Sequence, residues 1–386
     1  MKTFFTIFPK VENVHITKEI GMIPWGMHEY YGYDSRILLF KENEYPSLKY
    51  TEGLESIYIS TKTKRSVSAF LWMCKHCKEI DVLHLFYQCR YTQLSVLFYL
   101  LLNKKGKIYV HFDHDGTAYE SYSIDISKNK IKNYFQKVFY EKIIYTKKNQ
   151  ERILWGTQNR FAVKEIQGKF PYKNVVYVPD GYLAEKVTEK VSFDKKDNVI
   201  LSVGRLGTAQ KRTDLLLNAF LEISQKYEGW KMKLIGPMED SFQPYIKTFF
   251  DNHPEMKTKI EFVGPVYDRD ALNDEYEKAK VFCLSSDYES FGIVAAEALA
   301  KGCALILSSY AAATDITDQE KYGEIFEIGN LRELILKLEK IINNESKMKW
   351  ICEHGPEYAK NTFSYKALLE PIHAWIKKDK EDKTNG

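Results

Sequence analysis

The chain has 386 residues, of which 44% are hydrophobic and 28% charged, and a formal net charge of +4. That length exceeds one ordinary core and fits two domains, while the composition excludes fibrous, collagen-like and disordered classes. Residues 1–190 hold 29 Lys/Arg against 20 Asp/Glu and the remainder 27 against 32, so the first half either faces something anionic or carries a solvated Lys-rich face.

In chain order, TFFTIF at 3–8 reads as a first buried strand, too short in its apolar stretch for a secretory leader. Gly21 and Gly26 follow in KEIGMIPWGMHEYYGYDS at 18–35. Strand-like runs come next: RILLF at 36–40, IDVLHLF at 80–86, KIYVHFD at 107–113 and VVYVP at 175–179. Between them, SVSAFLWMCKHCKEI at 66–80 has helical spacing. Its Cys74 and Cys77 have no two further ligands at zinc-site spacing, so packing explains the pair better than metal. The six scattered cysteines are the usage of a reduced, cytosolic protein. LSVLFYLLL at 94–102 is half the length that spans a bilayer and reads as a buried helix. Residues 128–148 interleave lysines with aromatic and aliphatic side chains. Such a helix can lie on an anionic bilayer, or pack on a core with its lysines snorkelling outward. No RNA- or DNA-binding motif accompanies the charge, which argues against nucleic acid.

A charged stretch at 184–198 looks like an interdomain linker, and it sets the expected domains at 1–190 and 191–362. After it come NVILSVG, KMKLIG, IEFVG, VFCLS and CALILS, then helical patterns at about 331–344, 346–360 and 364–378. In the last, Pro371 would kink the helix or begin a new one. Residues 363–386 are expected to form a C-terminal helix and tail that returns to the N-terminal domain. The strand-like runs are continuously apolar, as in parallel strands covered on both faces. Alternation with helices then predicts two doubly wound α/β sheets.

Two segments carry the chemistry. In DYESFGIVAAEALAKGCALILSS, residues 287–309, Glu289 and Glu297 flank Ser290-Phe291-Gly292 at a helix start. Glycine permits close backbone approach, and the first-turn N–H groups are donors for phosphate or sugar oxygens. The two carboxylates can then grip hydroxyl groups at the two ends of one ligand. In SVGRLGTAQKRTDLLLNAF, residues 202–220, a strand-to-helix loop brings Gly204, Arg205 and Lys211 to the carboxyl end of a sheet. Two cations there suit a diphosphate that gains charge as it leaves. The loop is neither a P-loop nor a G-x-G-x-x-G fingerprint, which weakens kinase and dehydrogenase readings.

Together, the E-S-F-G-I-V-A-A-E run and the upstream Gly204-Arg205 with Lys211 resemble the retaining glycosyltransferases of family 4. The resemblance covers most of the chain and is strongest from Val199 to about Ser309. It implies the GT-B fold, two Rossmann-like domains with parallel sheets facing a central cleft. It also implies a hexosyl transfer that retains configuration, needs no metal and no cofactor, and uses a nucleotide-diphosphate sugar, expected to be UDP-linked. Arg205 and Lys211 would bind the diphosphate, Glu297 the ribose and Glu289 the donor sugar. Backbone around Ser290, Phe291, Gly292 and Ile293, with Gly204, would complete the donor contacts.

In the first half, Gly21 is the choice for close approach to the donor phosphates. His84 resembles the family's strand histidine, although a core histidine explains it better. His111, Asp113 and His114, in HFDHDG, are candidates on the acceptor side. The acceptor implied is a glycan or lipid-linked glycan of a bacterial surface polymer, which would put the protein in the cytoplasm, peripherally on the inner membrane face. Two alternatives remain: a nucleotide-sugar epimerase of the same fold, or a non-catalytic partner that binds the donor.

Overall fold

The computed structural model describes residues 1–61, 63–87, 89–112, 144, 146–169, 174–183 and 191–378. Those residues form two compact units: Met1–Gly181 joined by the C-terminal helix from Tyr365, and Tyr182–Ser364. The grouping changes at Tyr182 and Tyr365, where the sequence reading set 191 and 363. Tyr182 donates its amide to Phe363 O at 3.1 Å and bridges to Ser364. Both chain crossings therefore fall at one short backbone contact, a feature with no composition signal.

The first unit holds seven parallel strands: β1 (Thr3–Ile7), β2 (Asp34–Phe40), β3 (Glu55–Ile59), β4 (Val82–Phe86), β5 (Lys107–Phe112), β6 (Ile153–Thr157) and β7 (Val175–Tyr177). Their order is β3-β2-β1-β4-β5-β6-β7. The second unit holds β8 (Asp197–Val203), β9 (Lys231–Ile235), β10 (Ile260–Gly264), β11 (Ala279–Leu284), β12 (Ala304–Ser308) and β13 (Gly323–Phe326). These run β10-β9-β8-β11-β12-β13, again all parallel. Each order reverses direction beside its first strand, and ligands bind such sheets outside the carboxyl ends at that point. The two parallel Rossmann-like sheets with their helices are the GT-B fold.

Most of the continuously apolar runs became interior strands because both faces are covered, and every residue of β4, β5 and β12 is buried, while VVYVP and IEFVG became the edge strands β7 and β10. Three strands gave no such signal. β3 is an edge strand with partly exposed residues, including Tyr58. β6 contains Gly156, whose missing Cβ leaves room for the Tyr109 ring. β13 is a short edge that buries the polar Glu324.

LSVLFYLLL lies inside the helix Arg90–Leu102, and Cys77 is packed into the first core. The last helix, Tyr365–Lys377, runs on through Pro371 rather than restarting there. It packs on the helix Glu19–Tyr31, with Leu368, Leu369, Ile372 and Ile376 in a shared core with Met22, Ile23 and Met27. Gly26 lets the Leu369 side chain pack close at that crossing, since a Cβ would come within 2.5 Å of Leu369 Cδ1. Among the described residues no helix is long and apolar enough to cross a membrane.

Candidate functional site

The loop after β8 is shaped by backbone contacts that only glycine tolerates. Gly236, after β9, has φ +136°, and a Cβ there would lie 1.9 Å from Gly204 O. The ladder continues past the strands through Gly204 N to Ile235 O and Leu206 N to Pro237 O. Gly207 turns the chain at φ +81° and donates to Thr213 Oγ1 at 2.9 Å. Arg212 then occupies the left-handed region at φ +46° just before the helix Thr213–Lys226. That conformation costs a side-chain-bearing residue about 1–2 kcal/mol. Ser285 Oγ offsets it by bonding to Lys211 O and Arg212 O, and Asp214 and Asp287 hold the guanidinium.

The loop after β11 meets this turn. Gln210 joins the two: its carbonyl accepts from Asp287 N and its side chain donates to Tyr288 O, both at 2.8 Å. Arg205 Nη2 donates to Gln210 Oε1 at 3.2 Å and is otherwise exposed. Lys211 Nζ forms an ion pair with Glu289 Oε1, and both side chains are mostly buried. Ser286 Oγ donates to the same oxygen at 2.6 Å, while Glu289 Oε2 has no partner among the described residues. The cation and carboxylate thus neutralise one another, and one carboxylate oxygen stays available as an acceptor.

Phe291 is fully buried, 5.5 Å from the Phe363 ring, and anchors the loop beneath the site. Gly292 follows at φ +86° and opens the helix Ile293–Ala300, whose start no side chain caps. A Cβ on Gly292 would meet Tyr310 Oη at 2.7 Å, so this glycine is required twice over. The Tyr310 hydroxyl is itself buried without a partner among the described residues. Burial first, and Glu289 second, hold its pKa well above that of free tyrosine.

Glu297 sits one turn into that helix, 6% exposed. Its Oε1 accepts from Arg269 Nη2 at 2.6 Å and its Oε2 from Tyr276 Oη at 3.2 Å. Burial, then the carboxylate, raise the Tyr276 hydroxyl well above its usual range, so it stays a donor. Among the described residues Glu297 shares no hydrogen bond or ion pair with Arg205, Lys211 or Glu289. Of the four residues expected to act together, three form one connected group and Glu297 stands in its own.

Residues 184–358, which carry all of these groups, match the family described as Glycosyl transferases group 1. This stretch is similar to a group 1 glycosyltransferase domain. An uncharacterized glycosyltransferase of Haemophilus influenzae is 24% identical over 235 residues, which cover 58% of this chain and 60% of that protein. A capsular polysaccharide biosynthesis glycosyltransferase of Staphylococcus aureus is 27% identical over 192 residues, 49% of this chain and 48% of that one. The chain therefore spans about half to three-fifths of these curated relatives. The Anabaena HepE protein in complex with UDP shares the fold with a TM-score of 0.68 at 14% identity, covering 98% of this chain and 100% of that one.

Outside residues 184–358 the candidate residues are placed differently. Gly21 is the third residue of the helix Glu19–Tyr31, with its amide donated to Lys18 O at 3.0 Å. A Cβ there would come 2.1 Å from Ile16 O, so close packing by itself accounts for the glycine. His111 is buried at the end of β5. Its Nδ1 pairs with Tyr109 Oη at 2.8 Å and its Nε2 has no partner among the described residues. Burial pushes its pKa down to about 3, so it is neutral. His84, fully buried on β4, bonds Thr6 Oγ1 at 2.9 Å and stacks on the Tyr109 ring, a core histidine in a polar niche. Asp113 and His114, and residues 128–143 of the basic stretch, lie outside the described residues.

Sequence reasoning missed Gln210, Ser286, Arg269, Tyr276 and Tyr310. A serine three residues before Glu289 was a readable local signal for Ser286. Tyr276 and Arg269 lie on the helix Arg269–Lys278, more than twenty residues from Glu297, and offered none.

Proposed function

We propose that the chain is a retaining, metal-independent hexosyltransferase that uses a UDP-sugar as donor and a glycan or lipid-linked glycan as acceptor. The observation that carries this reading is the Lys211–Glu289 pair on the two loops after β8 and β11, with Arg205 tied to the same loops through Gln210. Arg205 and Lys211 bind the diphosphate, and Lys211 turns from Glu289 toward it as charge develops on the leaving group. Glu289 then accepts from the donor sugar's hydroxyls through both oxygens. Glu297 accepts from the ribose, and backbone N–H groups from Ser290 to Ile293 meet sugar and phosphate oxygens.

In the transfer, the bond between the anomeric carbon and the phosphate oxygen breaks and UDP departs with the electron pair. The acceptor hydroxyl forms the new bond on the same face and passes its proton to the departing phosphate oxygen. No protein nucleophile is assigned. UDP as the carrier is supported by the fold shared with the UDP-bound Anabaena protein, and a surface-polymer acceptor by the capsular glycosyltransferase relative. An acceptor of that kind puts the enzyme at the inner face of the cell membrane.

The test is transfer from radiolabelled UDP-sugars to a glycan or polyprenyl-linked glycan extract. Glu289→Gln should abolish transfer while melting like the parent. Undiminished transfer by that variant overturns the reading. Product formed without acceptor identifies an epimerase instead, and UDP-induced stabilisation without turnover identifies a non-catalytic binder.

A further inference from the structure

Glu297 carries one hydrogen bond on each carboxylate oxygen, and both come from a single neighbouring element. Arg269 is the first residue of the helix Arg269–Lys278, fixed there because Asp268 caps the helix through Ala271 N at 2.9 Å. Tyr276 lies two turns further along the same helix and is fully buried. Arg269 is the opposite, with just over half of its side chain in solvent while the carboxylate it holds is nearly buried. A carboxylate offers about four lone-pair sites, so two donors leave two sites for a ligand.

We propose that Arg269 is a positioning residue for ribose recognition, clamping the Glu297 carboxylate with Tyr276 so that its remaining lone pairs face the donor. This inference rests on the reading that Glu297 binds the ribose, and adds a residue that touches the carboxylate rather than the ligand. The physical reason is preorganisation. A glutamate side chain has three rotatable bonds, and a lone glutamate must lose that freedom when a hydroxyl arrives. The charge-assisted bond at 2.6 Å meets that cost beforehand. A guanidinium suits the task, since it stays charged and donates through a planar fork.

The experiment measures binding of UDP and of 2′,3′-dideoxy-UDP by calorimetry to the parent chain and to Glu297→Gln, Arg269→Ala and Arg269→Lys. The parent should prefer UDP by about tenfold or more, the worth of hydrogen bonds to a charged group. Glu297→Gln should lose most of that preference. Arg269→Ala should also lose it, to about threefold or less, with little change in affinity for the dideoxy ligand, and Arg269→Lys should restore part of it. A helix role for Arg269 would move both ligands equally and leave the ratio intact. Unchanged discrimination in Arg269→Ala, or tighter UDP binding because the arginine had been a competitor, overturns the proposal while the ribose reading stands. Equal binding of both ligands by the parent, or no UDP binding, overturns the ribose reading itself.

Discussion

The two units share a strand order, yet they treat polar side chains at their sheet ends in opposite ways. In the second unit the charged groups are paired between elements: Lys211 with Glu289 and Arg212 with Asp287 across loops, and Arg269 with Glu297 across two helices. In the first unit His84 and His111 are buried and neutral, and their Nε2 atoms have no partner among the described residues. Each of these charges is compensated by a partner that a ligand's own charged or polar groups can replace. Neutral histidines inside a sheet are instead held against protonation, and their unmet nitrogen is a standing cost of order 1–3 kcal/mol. The same topology therefore carries paired charges in one unit and a dry polar niche in the other.

The largest expected effect breaks the pairing directly. Lys211→Ala should lower transfer by about 10²–10³-fold, the range for removing one preorganised donor to a developing negative charge. Steady-state rates with a UDP-sugar measure it, and a loss under tenfold would mean that Arg205 suffices without it.

Gly236→Ala probes the loop contact beneath that pair. The Cβ would clash with Gly204 O and the φ of +136° is foreign to alanine, so a loss of about 3 kcal/mol or more is expected in denaturant unfolding. Unchanged stability would show that the loops after β8 and β9 can part freely.

Acid should separate the units. His84 and His111 have folded pKa values below 6.5, so below pH 6.5 the unfolded chain binds protons that the folded chain refuses. Stability of the first unit is then lost as pH falls from 6.5, by about 1.4 kcal/mol per unit for each histidine, down to about pH 3 for His111. In the second unit the relevant group is Glu324, buried but gripped by Lys340 and Lys347, which hold its pKa below the usual value of 4.5. Its contribution is present above pH 4.5 and is lost only as pH falls further. Hydrogen exchange at pH 5 should show the first unit opening before the second, and His111→Asn should reduce that difference. Simultaneous opening would end the contrast.

The smallest effect is expected at Tyr310. Removing a buried hydroxyl without a partner should leave Tyr310→Phe equally stable or up to about 1 kcal/mol more stable by thermal melting. Destabilisation would reveal a partner for the hydroxyl.

Much of the fold was legible because parallel strands covered on both faces are continuously apolar, which is how β1, β2, β4, β5, β8, β9, β11 and β12 stood out, and short apolar runs also marked the edge strands β7 and β10. Polar residues inside the short edge strands β3 and β13 hid them, and a glycine beside a tyrosine ring hid β6. Within the candidate site, Gly204, Arg205, Lys211, Glu289 and Glu297 could be picked out because the segments that hold them are short and continuous in sequence. Their pairings were not. That Lys211 meets Glu289, and that Glu297 answers to Arg269 and Tyr276, depends on which strands become neighbours in the sheet. Chain order alone does not bring β8 beside β11, or the helix Arg269–Lys278 beside Ile293–Ala300. Sequence determined which chemical groups are carried on which loops, because local backbone needs and apolar patterning are written residue by residue. The tertiary structure decided which charge is met by which, since an ion pair's energy depends on distance and burial that only packing sets.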